Sequence, residues 1–327
     1  MFPEKDVPKK RTRERPDSAP EGFQRIRLTV AYDGTAYSGW QVQVEGITVQ
    51  GCLEAALGRL FRSGPRVVSS SRTDTGVHAR GMSVHFDVPR AEWRMTPDKL
   101  ILAANAHLPE DIRVTAAART RADFHARFDA IGKQYRYTVW NDSAHEPLGL
   151  RQQWHVPKPI DLVAMRAAAA TLIGRHDFLA FSATPGYERL HTVRNVTRCD
   201  VIRSGPRITV VIEADGFLYK MCRGIVGTLV QVGHGRFRPE ELIPLLETRD
   251  RRLAGMTAPA LGLVLWKVFY RKPGMPRRPH PADVDQEHQR DGLHGTIGQF
   301  HQDVVPLGLR LRGPMFQAVL DEPVEGA

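Results

Sequence analysis

The sequence predicts an α+β fold made of two related halves. Strand-like and helix-like runs mix without a regular βαβ succession, and several strand-like runs follow one another closely enough to pair antiparallel. The order of patterns in the second half also loosely repeats that of the first.

Arg25 to Tyr32 places Ile26, Leu28, Val30 and Tyr32 on one side, the mark of a half-buried strand. Val49, Cys52, Leu53, Ala56, Leu57, Leu60 and Phe61 then recur at helical spacing, behind Thr48 as the capping residue. Val67 to Ser70 and Gly81 to Phe86 read as two strands, the second alternating Met82, Val84 and Phe86 against Ser83, His85 and Asp87. Thr96-Pro97 opens a further helix, with proline at its first helical position. In the second half Lys133 to Trp140 and Arg207 to Ala214 alternate as strands, while Leu162 to Leu172 and Leu218 to Val232 carry helical patterns. Gly262 to Tyr270 reads as a closing strand.

These runs divide the chain into a basic arm (1–22), a first half (23–123), a second half (124–272) and an extension (273–327). The arm has six Lys and Arg residues from Lys5 to Arg15 and no apolar period, so disorder is expected. Most of the extension is expected to be disordered as well, and its His280, His288, His294 and His301 match no metal-ligand spacing.

Composition narrows the class. At 327 residues, 42% hydrophobic and 25% charged, the chain has the make-up of a soluble protein with a sizeable core. No run approaches the roughly 20 apolar residues of a membrane span, and no apolar stretch follows the N-terminal charges as in a secretory signal. Cys52, Cys199 and Cys222 are odd in number and far apart, which suits buried thiols in a reducing compartment and predicts a cytoplasmic protein. A net charge of +10 and a pI near 9.8 favour a polyanionic partner, although charge of that kind also serves plain solubility.

The loop between the two central strands of the first half, Ser71 to Ala79, carries the chemistry-bearing residues. A loop held between strands is a fixed platform, and this one offers the carboxylate of Asp74 two residues from the guanidinium of Arg72. Asp and Thr are also ordinary turn residues that bond nearby backbone, so spacing alone leaves both readings open.

Arg72-Thr73-Asp74-Thr75-Gly76-Val77-His78-Ala79 resembles the active-site signature of the TruA-type tRNA pseudouridine synthase family. Tyr32-Asp33-Gly34-Thr35, Tyr37-Ser38-Gly39-Trp40-Gln41 and Thr48-Val49-Gln50-Gly51 resemble the family's opening segments. Asn105-Ala106-His107-Leu108-Pro109, Phe124-His125-Ala126-Arg127-Phe128, Tyr135-Arg136-Tyr137, Met221 to Gly227 and Thr257 to Leu263 follow in the family's order. The likeness runs from about residue 24 to about 270.

The resemblance implies two α/β halves joined across a mixed, largely antiparallel sheet with a central cleft. It implies an isomerase that converts uridine to pseudouridine in the anticodon stem-loop of tRNA (family positions 38, 39 and 40), without cofactor or metal, as a homodimer. Asp74 takes the place of the family's nucleophile, Arg223 of the arginine that pairs with it, and Tyr135 of the tyrosine that stacks on the uracil and assists proton removal. Leu263 matches an apolar residue on the other side of the base, or is core. Arg72 matches the arginine that fills the space of the flipped nucleotide, with a plain phosphate contact as the competing role. His78, Lys133, Arg127 and Arg136 are candidates for an RNA path, while Asn105 and His107 are expected to shape sheet and loop. A non-catalytic RNA-binding protein on the same scaffold, or a synthase acting on another RNA, would share much of this pattern.

Overall fold

A computed structural model describes residues 18–183 and 191–271. The expected basic arm up to residue 17 and the extension from residue 273 lie outside the described residues. The last residues assigned to the arm are anchored instead: the Ala19 N–H donates to the Ala122 carbonyl, and Arg90 N–H to that of Gly22.

The first half runs β1 (Phe23–Tyr32), α1 (Val49–Leu60), β2 (Val68–Ser69), β3 (His78–Pro89), α2 (Pro97–His107) and β4 (Ile112–Arg119). β5 (Ala130–Trp140), β6 (Trp154–His155), α3 (Leu162–Thr171), β7 (Gly174–Asp177) and β8 (Val193–Ser204) follow. β9 (Arg207–Ala214), α4 (Met221–Gly233), α5 (Leu242–Thr248) and β10 (Leu263–Tyr270) complete the described chain. The predicted helix starts hold. Thr48 caps α1 by accepting from the Gly51 N–H, and Thr96 caps α2 by accepting from Lys99, with Pro97 in the first turn.

The strands form one mixed, largely antiparallel sheet in the order β4-β1-β3-β10-β5-β9-β8-β7, with β2 beside β3 and β6 beside β5. Among the described pairs only β10–β3 and β5–β6 are parallel. β10 is the seam. It pairs Leu265 with Ala79 of β3 on one side and with Tyr135 of β5 on the other, so it ties the chain's first strands to its later ones.

Along the paired strands Ile26, Leu28 and Val30 stand opposite Phe86, Val84 and Met82. These six side chains are wholly or almost wholly buried, and Leu53 and Leu57 of α1 belong to the same cluster. Burying a side chain of this size stabilises by about 1.5–3 kcal/mol. Leu57→Ala is expected to cost about 2–5 kcal/mol through the cavity it leaves.

Along β3 the sequence alternates Met82, Val84 and Phe86 with Ser83, His85 and Asp87. In the structure Ser83 and His85, on the polar side, are buried too. The segment Phe124–Ala126 crosses that side, where Ala126 N–H donates to His85 Nδ1 and Arg25 Nη1 donates to the Phe124 carbonyl.

Candidate active site

The Asp74 loop leaves β2 and ends in β3, and the turn after β1 holds it from below. The Trp40 N–H donates to the Thr73 carbonyl at 3.1 Å, and the Tyr32 and Thr73 hydroxyls are 2.7 Å apart. Gly39 permits this contact. Its φ is +88°, and a Cβ there would meet the Thr73 oxygen at 2.8 Å. Within the loop Val77 N–H donates to the Asp74 carbonyl, closing a tight turn that presents the carboxylate.

Arg223 reaches that carboxylate from the first turn of α4. Its Nη1 lies 3.2 Å from Asp74 Oδ2, with side-chain exposures of 15% and 20%. The guanidinium is aimed by the backbone: Nε donates to the Ala258 carbonyl at 2.8 Å, and Ala258 N–H donates back to the Arg223 carbonyl at 3.0 Å. The helix can sit this close because Gly227, one turn on, has no side chain; a Cβ there would collide with the Met256 carbonyl oxygen. Asp74 Oδ1 accepts no hydrogen bond among the described residues. The pair is therefore an anchored cation beside a carboxylate with one oxygen idle.

Tyr135 stands on β5 with its ring met edge-on by Phe217, centroids 4.9 Å apart. Burial pushes its phenol well above the usual range, and Cys222, which precedes Arg223, adds to the rise. The nearby Ser71 hydroxyl pulls it back, while Tyr32 and Asp74 press it further up. The phenol, the loop carboxylate and the start of α4 thus meet in one place. Tyr32, Phe217, Cys222 and Ala258 belong to it as well, and sequence reasoning missed all four. Tyr32, Cys222 and Ala258 lie inside segments that resemble the family, but the residues themselves read as core until the fold brings them to the site.

The other predicted residues fall into two groups. Arg72 is exposed and its guanidinium has no partner among the described residues, so it stands free at the rim. Lys133, two residues before Tyr135 and on the same side of β5, donates from Nζ to the Ser70 carbonyl at 2.8 Å. Burial, then Arg127 and Arg194, lower its pKa to about 8.

His78, expected to touch substrate, is buried instead. Gly34 N–H donates to its Nδ1, Asp33 Oδ1 lies 3.1 Å from the same nitrogen, and Nε2 is 3.0 Å from the Leu261 carbonyl. With both nitrogens occupied it fastens the turn after β1 to the segment before β10. Leu263 is buried opposite Tyr137, two pairs along from Tyr135, which faces Leu265. Arg136 points to the other face of the sheet, stacked 3.9 Å from the centre of the Trp266 ring, because adjacent strand residues alternate. Asn105 exchanges two hydrogen bonds with Val114 of β4, the shaping role expected of it. His107, at the end of α2, is exposed.

The family described as tRNA pseudouridine synthase matches residues 28–129 and 168–271. The chain is 45% identical over 250 residues to the tRNA pseudouridine synthase A of Syntrophotalea carbinolica, covering 75% of this chain and 96% of that protein. It is 43% identical over 252 residues to the protein of the same name from Brevibacillus brevis, covering 76% and 100%. With that of Exiguobacterium sibiricum the identity is 40% over 248 residues, covering 76% and 97%.

Proposed function

The chain belongs to the tRNA pseudouridine synthase family, and we propose that it isomerises uridine to pseudouridine in the anticodon stem-loop of tRNA, at positions 38, 39 and 40. The reaction breaks the bond between sugar C1′ and uracil N1, turns the base within the pocket, and joins C1′ to C5, which then loses its proton. Uracil leaves and returns by itself, so what the protein must supply is a carboxylate at the reacting sugar and a wall that keeps the base from escaping.

Asp74 is the nucleophile in this reading, Arg223 the cation that pairs with it and holds it in place, and Tyr135 the ring that stacks on the uracil and assists proton loss at C5. The observation that carries the reading is the single 3.2 Å contact between Asp74 and Arg223, which neutralises one carboxylate oxygen and leaves the other for substrate. Arg72 takes the space of the flipped nucleotide, and Lys133 meets a backbone phosphate. Leu263 lines the far side of the base pocket. The family matching twice, over 28–129 and again over 168–271, supports two related halves with the site in a cleft between them. The enzyme works in the cytoplasm as a homodimer whose two protomers share one tRNA.

Release of tritium from tRNA carrying 5-tritiated uridine tests the assignment. Asp74→Asn keeps size and hydrogen-bonding capacity but removes the negative charge, so release should cease while tRNA binding persists. Near-normal release from that variant would sink the role given to Asp74.

A further inference from the structure

Ser71 opens the catalytic loop, and its hydroxyl is anomalous. The side chain is about nine-tenths buried, yet Oγ meets no protein atom at hydrogen-bond distance and angle. An unpaired buried hydroxyl costs about 1–3 kcal/mol, and such groups in native proteins call for a reason beyond packing. The surroundings supply one. Lys133 and Tyr135 project from the same side of β5, and Lys133 Nζ is bound to the carbonyl of Ser70. The next residue, Ser71, therefore stands beside Tyr135, close enough to act on the titration of the phenol although short of a formed bond in the resting protein.

We propose that Ser71 is a positioning residue for Tyr135: when the target base fills the site, its hydroxyl donates to the phenol oxygen and turns that oxygen toward C5 of the uracil. The idea rests on Tyr135 meeting the base, as proposed above. The geometry suits it. Phe217 fixes the ring edge-on but offers no polar atom, and the remaining groups around the phenol are Cys222 from α4, Tyr32 from β1 and Asp74 from its loop. Cys222 and Tyr32 have their own protons driven up by burial, so neither is an anion, and Asp74 is held by Arg223. Ser71 is thus the neutral donor placed to favour the phenol's proton-poor form.

Ser71→Ala separates this role from packing. If Ser71 positions Tyr135, kcat falls about tenfold, the worth of one well-made hydrogen bond, with KM within about twofold. The melting temperature stays level or rises, because the variant removes an unpaired buried hydroxyl. In a Tyr135→Phe background the same substitution costs nothing further, since the phenol it serves is gone. An undiminished kcat, an equal fractional loss in both backgrounds, or a lowered melting temperature with a raised KM would overturn the proposal.

A second readout does not depend on turnover. With 3-fluorotyrosine at position 135, the fluorine resonance should shift when tRNA is added to the unsubstituted protein and shift less in Ser71→Ala. An equal shift in both proteins would refute the contact even in an active enzyme. A difference between them in a protein that releases no tritium would leave the contact standing and sink the pseudouridine reading.

Discussion

Arg25–Asp87 and Arg223–Asp74 both join distant parts of this chain, and they are built differently. Arg25 is 5% exposed and grips Asp87 with both ends of its fork, Nε and Nη2 each 2.7 Å from a separate carboxylate oxygen, while Nη1 donates to the Phe124 carbonyl. Arg223 touches one oxygen of Asp74, once, at 3.2 Å, and spends Nε on the Ala258 carbonyl. A bidentate pair with both oxygens occupied has no capacity left for a substrate, and it locks β1 to β3. A monodentate pair holds its carboxylate in place and leaves it an idle oxygen. The same two residue types thus make a fastening in one region and a reactive group in the other, and the count of bonds tells them apart.

The sharpest break of that comparison is to remove each carboxylate in turn. Asp74→Asn should lower kcat by about a thousandfold or more with little change in melting temperature. Asp87→Ala should do the reverse, costing about 3 kcal/mol of stability by taking the carboxylate away from a buried guanidinium. Turnover of that variant, measured where it is still folded, should stay within a fewfold of the unsubstituted enzyme. Comparable losses of turnover in both variants would erase the distinction.

Arg223→Lys asks whether aim matters as well as charge. Lysine keeps the cation but cannot both bond the Ala258 carbonyl and face Asp74, so kcat should fall about ten- to a hundredfold with KM little changed. Full activity in steady-state kinetics would show that any nearby cation suffices.

The region around Arg25 carries its own pH dependence. Burial, then the nearby Arg25 guanidinium and the His125 ring, lower the His85 pKa from its ordinary value to about 3, against the opposing pull of Asp87 and Asp129. Between about pH 3 and the ordinary histidine value near 6.5 the unfolded chain holds a proton on this residue that the folded chain refuses. Stability is therefore full above that window and lost as pH falls through it, by up to about 1.4 kcal/mol per pH unit from this group. Denaturant melts of His85→Gln should show a flatter acid limb than the unsubstituted protein.

Lys133 gives the smallest effect, on the side of the reactive pair. With its pKa lowered to about 8, it carries most of its charge at pH 7 and has lost most of it by pH 9. If it meets a phosphate, the slope of log affinity for tRNA against log salt should lose about one unit over that rise, and Lys133→Met should show the shallower slope at both pH values. Identical slopes for the two proteins at pH 7 would remove Lys133 from the RNA path.

Much of this was legible in the sequence wherever the signal is local. The Thr48 and Thr96 caps, the strand Arg207–Ala214 and the loop around Asp74 are set by residues within a few positions of each other, and the structure has them where the sequence pattern put them. β4 escaped notice because Ala116-Ala117-Ala118 has neither β-branching nor alternation; it is a strand because β1 offers it an edge. β8 was hidden by Arg194, Arg198, Asp200 and Arg203, polar residues on a strand whose register comes from β9. The Arg25–Asp87 fork joins residues 62 apart, and the burial of His85 depends on a crossing segment 41 residues away in sequence; periodicity has no access to those distances. His78 shows the converse: a motif residue reads as a substrate contact until the fold reveals both ring nitrogens bound to the scaffold.

The place of β10 also governs when the enzyme can come into being. It is the last described strand to be synthesised, yet it lies in the middle of the sheet, between β3 and β5. Until Tyr270 has left the ribosome, β3 and β5 have no strand between them, and two open edges wait side by side. The earlier strands can pair among themselves as they emerge, since β1–β3 and β8–β9 join neighbours, but the final insertion spans the longest sequence separations in the sheet and is entropically the slowest step. A nascent chain stalled before residue 263 should therefore expose those edges and be sensitive to proteolysis and to aggregation. One stalled far enough beyond Tyr270 to free β10 from the exit tunnel should be protected.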